Sequence, residues 1–502
     1  MNLARLLSER AALSRGKPAA VFEGTPYTFG AFDREVERYA GVLQRAGIGP
    51  GDRVAVQLPK RMEFLFAHFG ALSLGAITLP LNADYRAEEV GYFLGDSRPS
   101  LMVTDRERSE RSAGVLREAA VRPLLVDADP DRPESLARYL SQAPERFERP
   151  YAADGDDVAM LCYTSGTTGR SKAAMISHRN LISNTLALHS AWEWTDRDVL
   201  LHVLPLFHVH GLNVAATGSL YAGATMIMHE RFEPRRVWDT LERERCTLLM
   251  AVPTIYQRLL AEWGSLGRTP DLSSLRVFIS GSAPLSDPLF RRFESATGFR
   301  ILERYGMSET GMNVSNPIEP KGRKPMSVGY PLPGVEIRIV SQEGGDVPGG
   351  DVGEVWIRGE NVFRGYWEMP EKTAESFSNG WFRSGDLGYL DPSDGGRLYL
   401  VGRAKELIIT GGYNVYPKEI ENVLEAHEAV REAAVVGILD DEFGERVVAF
   451  VVPMESGRAP APEELIVACK QKLAGYKCPK EVRYVEALPR NAMGKIQKSA
   501  LR

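Results

Sequence analysis

Apolar and polar positions along this chain follow two periods. FDREVERYAGVLQRAG repeats its apolar residues every three to four positions, the period of a helix with one buried face. DRVAVQL, AITLPL and SLMVTD are short apolar runs set between helical stretches. Strands separated in this way need crossover connections, so the segment from Thr28 to about Met228 is expected to build largely parallel sheet. LLMAVP and LRVFISG carry the rhythm through Gly281. After about Met326 the texture changes to GVEIRIV, GEVWIRG and GRLYLVGR, β-rich runs between glycine turns that predict a smaller barrel or antiparallel sheet. The final stretch reads helix KEIENVLEAH, strand EAAVVGIL, strand RVVAFVVP, helix PEELIVACKQKLAG and a loop-like tail. That is a compact unit, too small to hold a whole site but able to cover one. The fold class predicted is α/β. Residues 1–404 form a large domain of parallel α/β sheets with a β-rich, barrel-like part over about 326–404, and 405–502 form a small, movable α+β domain.

Length and composition limit the function classes. A chain of 502 residues exceeds what one hydrophobic core serves and predicts roughly three domain-sized units, hence a cleft between domains. Apolar residues at 44% and charged residues at 25% are ordinary for a globular protein. A net charge of -5 gives no general pull toward nucleic acid or anionic lipid. Cys162, Cys246, Cys469 and Cys478 have neither disulfide-framework nor metal-ligand spacing, so isolated thiols in a reducing compartment are expected. No apolar run approaches the ~20 residues of a membrane span. The N-terminus is arginine- and serine-rich like a transit peptide, but it carries Glu9. Leu3, Leu6, Leu7 and Leu13 fit one face of an ordinary amphipathic helix, and a cytoplasmic protein is the expectation.

The strongest local signal is YTSGTTGRSK, Tyr163 to Lys172. Glycines, hydroxyls and a terminal lysine after the apolar MLC describe a loop whose N–H groups and hydroxyls can wrap a phosphate. It is not a Walker A loop, because Gly169 is followed by Arg170 and Ser171 before the lysine. Further motifs follow in order: LPLFHVHG (204–211), ERYGMSET (303–310), SGDLG (384–388), GRAKELI (402–408), GGYNVYPKEIE (411–421) and NAMGKIQK (491–498). Together they resemble the ordered motifs of the adenylate-forming superfamily of acyl-CoA synthetases, luciferases and adenylation domains, over nearly the whole chain.

The resemblance implies a division of labour. Thr164, Ser165, Gly166, Thr167, Thr168, Gly169 and Lys172 would hold the β- and γ-phosphates of ATP, and Glu309 with Thr168 would hold Mg²⁺. Tyr305, within Tyr305-Gly306-Met307-Ser308, would stack on adenine, with room left by Gly281, Ser282 and Ala283. Asp386 would bind the ribose hydroxyls, and Arg403 would approach the ribose or phosphates. His208 matches the family position that gates the acyl pocket. For His210 a core role and a substrate role stand evenly. Lys495 matches the lysine that swings over the α-phosphate, Lys405 the hinge, and Gly411, Gly412 and Tyr413 the face turned toward the pantetheine of CoA. Ala173 departs from the family pattern, where glycine is common. Pro489 to Lys495 resembles the context in which such a lysine is acetylated, so a lysine acetyltransferase is an expected partner.

Arg304 poses its own question, since relatives that take uncharged acyl chains carry a small residue there. ERYGMSETGMNVSNP, with LPLFHVHGL upstream, looks like the malonyl-CoA synthetase branch. A guanidinium can pair a second carboxylate bidentately, which would make Arg304 the specificity residue; the competing reading is a structural ion pair. The function expected is an ATP- and Mg²⁺-dependent acid–thiol ligase forming malonyl-CoA or a close short-dicarboxylate thioester. The alternatives are a broad acyl- or aryl-CoA ligase and, from another class, an idle nucleotide-binding regulatory module, against which Glu309, Asp386 and Lys495 argue.

Overall fold

The structure, a computed structural model, describes residues 1–142, 147–164, 171–440, 443–454, 459–491 and 495–502. Three sheets organise it. The first has the strand order Arg122–Leu125, Leu101–Thr104, Arg53–Gln57, Ile77–Pro80, Val158–Thr164, Lys172–Ser177, and only its last pair is antiparallel. The second runs through fourteen strands, parallel across Val199–His202, Leu248–Ala251, Val277–Ser280 and Leu302–Met307. At Leu302–Met307 its character changes. That strand is parallel to Val277–Ser280 on one side and antiparallel to Gly311–Ser315 on the other. Beyond lie the antiparallel strands Ser327–Pro331, Arg397–Arg403, Trp381–Asp391, Gly353–Gly359 and Val335–Val340, the β-rich texture of the sequence.

The third sheet begins after Arg403, where the short turn Ala404–Glu406 leads into the hairpin Ile408–Thr410 and Tyr413–Val415. Gly411 and Gly412, with φ of 56° and 80°, supply the left-handed pair a two-residue hairpin turn needs. Gly444–Pro453 pairs with Val430–Asp440 and, in parallel, with Glu481–Tyr484. The last strand was expected to be loop; Glu481–Tyr484 lies half-buried along an edge and shows little alternation.

The helices bury the faces their periods demand. Thr28 caps Phe29–Arg45 by accepting the Ala31 N–H, and Phe29, Phe32, Val36, Tyr39 and Leu43 of that helix enter the main core. The N-terminal helix Leu3–Leu13 buries Leu3, Ala4, Leu7 and Ala11. Leu13, expected on that face, is 75% exposed, because the helix ends there and the chain turns away. The four cysteines are buried, unpaired thiols. Among the described residues no helix is long and apolar enough to cross a membrane.

Candidate active site

The carboxyl ends of the parallel strands converge, and in open α/β sheets this is where ligands bind. Val199–His202 leads to His208 and His210, Val277–Ser280 to Gly281–Ala283, and Leu302–Met307 to the turn holding Glu309. Val158–Thr164 arrives from the other sheet, with Thr164 and Lys172 directly opposite each other across its hairpin. Ser165 to Gly169, including the proposed metal ligand Thr168, lie outside the described residues.

Glu309 is buried, and its Oε1 accepts from Thr164 Oγ1 at 3.2 Å and from Tyr366 Oη at 3.1 Å. Lys172 Nζ lies 4.7 Å from the centre of the Tyr366 ring. Tyr366 thus joins the end of the loop to the acidic residue, a role that sequence reasoning missed because GYW carries no motif. Among the described residues no group of three or more His, Cys, Asp or Glu side chains could hold a metal ion. A single carboxylate completed by phosphate oxygens and water suits Mg²⁺, which keeps several waters, so the donors present fit this ion.

Tyr305 Oη donates to Asp386 Oδ2 at 2.6 Å, and Arg403 Nε lies 2.9 Å from Asp386 Oδ1. Both carboxylate oxygens are therefore engaged, and only their remaining lone pairs are open to ribose hydroxyls. Lys495 reaches this cluster from the C-terminal domain. Burial lowers its pKa and Arg403 adds to this, while Asp386 and Glu309 partly offset the fall. Lys405 sits in the turn between the second and third sheets, its pKa lowered by burial and by Arg403.

Behind Tyr305, on the other face of the strand, stands Arg304. It is 2% exposed, and its Nε, Nη1 and Nη2 are all buried without a hydrogen-bond partner among the described residues. The guanidinium lies over Gly281, where a Cβ would meet Arg304 Cζ at 2.5 Å. The side of Gly281 on which a Cβ would stand is thus filled by this guanidinium. Around it, His208 Nδ1 accepts the His210 N–H at 3.2 Å, and Ser282 Oγ is 3.3 Å from His210 Nδ1. Burial, with Lys495 and Arg304 adding, pushes His208 down to about 3, so it is a neutral imidazole. His210 is likewise held well below its ordinary value by burial, and its Nε2 has no hydrogen-bond partner among the described residues.

Two further residues escaped the sequence reading. Glu303 is buried on the Tyr305 face of the strand, with Oε1 accepting the Leu285 N–H at 2.9 Å and Oε2 without a hydrogen-bond partner among the described residues. Asn184 brackets Met312 just after the Glu309 turn, donating to its carbonyl at 2.7 Å and accepting its N–H at 3.0 Å. Glu303 opens ERYGMSET, but that motif assigns it no role, and Asn184 lies in none of the motifs. Gly411, Gly412 and Tyr413 form the exposed hairpin of the small domain, with Tyr413 stacked on Tyr476 at 4.7 Å.

This chain belongs to the AMP-binding enzymes: the family model for an AMP-binding enzyme matches residues 7–367, and that for the AMP-binding enzyme C-terminal domain matches 419–495. It is 37% identical to malonate–CoA ligase ACSF3, mitochondrial, of Mus musculus, over 94% of this chain and 85% of that one. It is 36% identical to a feruloyl-CoA synthase of Amycolatopsis sp, over 98% and 97%. ATP-bound MatB from Rhodopseudomonas palustris superposes with a TM-score of 0.91 at 40% identity, covering 100% of this chain and 98% of that one. The apo form of MatB, at the same identity and coverage, scores 0.82. The chain is thus an AMP-forming acyl-CoA ligase that works through an acyl-adenylate and uses ATP, Mg²⁺ and CoA.

Proposed function

We propose that the acid is malonate or a close short dicarboxylate, and that Arg304 selects it. The observation that carries this reading is the buried guanidinium whose three nitrogens have no protein partner among the described residues. A buried cation without a counter-charge is costly, and an ion pair kept only for the scaffold would have its carboxylate in place. A distal carboxylate of the substrate supplies the missing charge bidentately. The mouse malonate–CoA ligase among the relatives supports this reading. Feruloyl-CoA synthase, at nearly the same identity, shows that overall similarity alone does not choose the acid.

In the same reading the reacting carboxylate lies between neutral His208 and Lys495, whose ammonium meets the charge that builds on the α-phosphate as pyrophosphate leaves. Mg²⁺, held by Glu309 with Thr168, would neutralise phosphate charge. Tyr305 and Asp386 would hold adenosine, and Lys172 the far end of the triphosphate. Rotation about Lys405 would then withdraw Lys495 and bring Gly411, Gly412 and Tyr413 toward CoA. Acetylation of Lys495 would remove its charge. The ammonium is buried near Arg403, Asp386 and Glu309, so a modifying enzyme would need the small domain rotated away.

The test is Arg304→Gly, with malonate and butyrate compared by kcat/KM. Malonate should lose about 2–5 kcal/mol of transition-state stabilisation, the range for breaking a buried hydrogen-bonded charge pair. Butyrate should lose little or gain, and the Tm without substrate should not fall. Equal losses for both acids with a lower Tm would make Arg304 part of the scaffold.

A further inference from the structure

We infer that Lys498 is a positioning residue for Lys495, setting the register from which its ammonium reaches the site. This rests on the reading that Lys495 acts in acyl-adenylate formation. The segment bearing Lys495 folds back on itself. Arg490 and Ile496 form an antiparallel bridge, and the Gln497 N–H donates to Pro489 O at 2.8 Å. Asn491 holds the Lys495 backbone from both sides, its N–H donating to Lys495 O at 3.0 Å and its Oδ1 accepting the Lys495 N–H at 3.0 Å.

This turn is anchored on two limbs by ion pairs to different elements. On the first limb, Arg490 Nη2 lies 2.8 Å from Glu432 Oε1 on the strand Val430–Asp440. On the second, Lys498 Nζ lies 2.6 Å from Glu421 Oε1 on the helix Pro417–Glu425 and 3.3 Å from Glu406 Oε2 in the turn that contains Lys405. Glu421 is itself fixed, because it is buried and its Oε1 also accepts the Val435 N–H at 3.0 Å. Apolar contact also holds the segment: Ile496 and Leu501 pack on the cluster of Val436, Val448 and Leu488. Apolar contact is non-directional and tolerates sliding, whereas a short ion pair to a buried carboxylate fixes a position. Lys498 is three residues from Lys495 and begins the short helix Lys498–Leu501 into which that turn runs, so releasing it lets the base of the Lys495 side chain shift. It also ties that base to the turn about which the domain is proposed to rotate.

The experiment uses the full chain and two rates: pyrophosphate release with saturating acid and ATP, and thioester formation from supplied acyl-AMP and CoA. Lys498→Met should slow the first by roughly 10- to 100-fold, the scale of misplacing a catalytic group by about 1 Å, and leave the second unchanged. Lys498→Arg should restore most of the first rate. Glu421→Gln, which removes the other half of the grip, should show the same split should Lys498→Met fold poorly. In a Lys495→Ala background, Lys498→Met should add no further loss, since a positioning residue acts only through its client. Equal loss in both half-reactions, unchanged pyrophosphate release, or a full additional loss in the double variant would each overturn the inference. If Lys495→Ala itself kept normal pyrophosphate release, the role given to Lys495 would fall and this inference with it. If that variant lost activity and Lys498→Met did not, only the present inference would fall.

Discussion

At the residue scale, neighbours on one strand meet opposite fates because successive side chains leave a strand on opposite faces. Arg304 enters the side of Gly281, His208 and His210, while Glu303 and Tyr305 share the other. The contrast makes Glu303 testable by pH. Burial pushes its carboxyl up to about 8, despite the opposing Leu285 N–H, Lys418 and Arg304. In the unfolded chain the group ionises near 4.5, so between these values folding requires a proton that the unfolded state has released. Stability from this group is complete below 4.5 and is lost as pH rises through about 8. Glu303→Gln keeps an acceptor for Leu285 and has no such dependence. Its Tm relative to the parent should therefore climb from pH 5 to pH 8, and a constant difference would show that the Glu303 charge is matched in the fold. The oddity of Arg304 was legible in the sequence. That Glu303 is buried with a free oxygen was not, since a carboxylate before an arginine reads equally well as a solvated pair.

At the element scale, the loop after Val277–Ser280 and the strand Leu302–Met307 fit because Gly281 has no side chain. Gly281→Ala would place a Cβ 2.5 Å from Arg304 Cζ and force the guanidinium aside. Overpacking of this kind costs roughly 1–3 kcal/mol in stability. The functional effect should be selective: malonate kcat/KM falls by about 10-fold or more, and butyrate falls much less. Parallel losses would mean that the displaced group does not face the distal end of the acid. The strands themselves were legible from apolar runs such as LRVFISG. The Glu481–Tyr484 strand and the exposure of Leu13 were not, since each depends on where a neighbouring element ends.

At the scale of the whole molecule, the small domain carries Lys495 into a site otherwise built by the large one. Lys495→Ala should reduce adenylation by ~10²-fold or more, the scale of removing a preorganised donor, and leave conversion of supplied acyl-AMP to thioester intact. A charge-bearing lysine also predicts an alkaline limb. Burial lowers the Lys495 pKa, with Arg403 adding, so in the free enzyme the ammonium is lost at a pH below 10.5. The kcat/KM for ATP in pyrophosphate release should decline above that lowered pKa, and Lys495→Arg should move the decline upward. Because neutral His208 titrates near 3, no acid limb near 6.5 should come from it. A decline shared by Lys495→Arg would assign the titration elsewhere.

What the sequence determined by itself is the order of elements and the chemistry available. Periodicity is local, and the motifs from YTSGTTGRSK to NAMGKIQK bring hydroxyls, carboxylates and cations that need no knowledge of distant neighbours to be recognised. The tertiary structure decided which of these groups meet and which remain unpaired. Thr164, Glu309 and Tyr366 share one cluster although 202 positions separate the first from the last. Asp386 has both oxygens engaged, and Arg304 has three nitrogens without a hydrogen-bond partner among the described residues. Pairing and burial are properties of surroundings assembled from distant segments, so neither the Thr164–Glu309–Tyr366 cluster nor the burial of Arg304 could be read from local sequence.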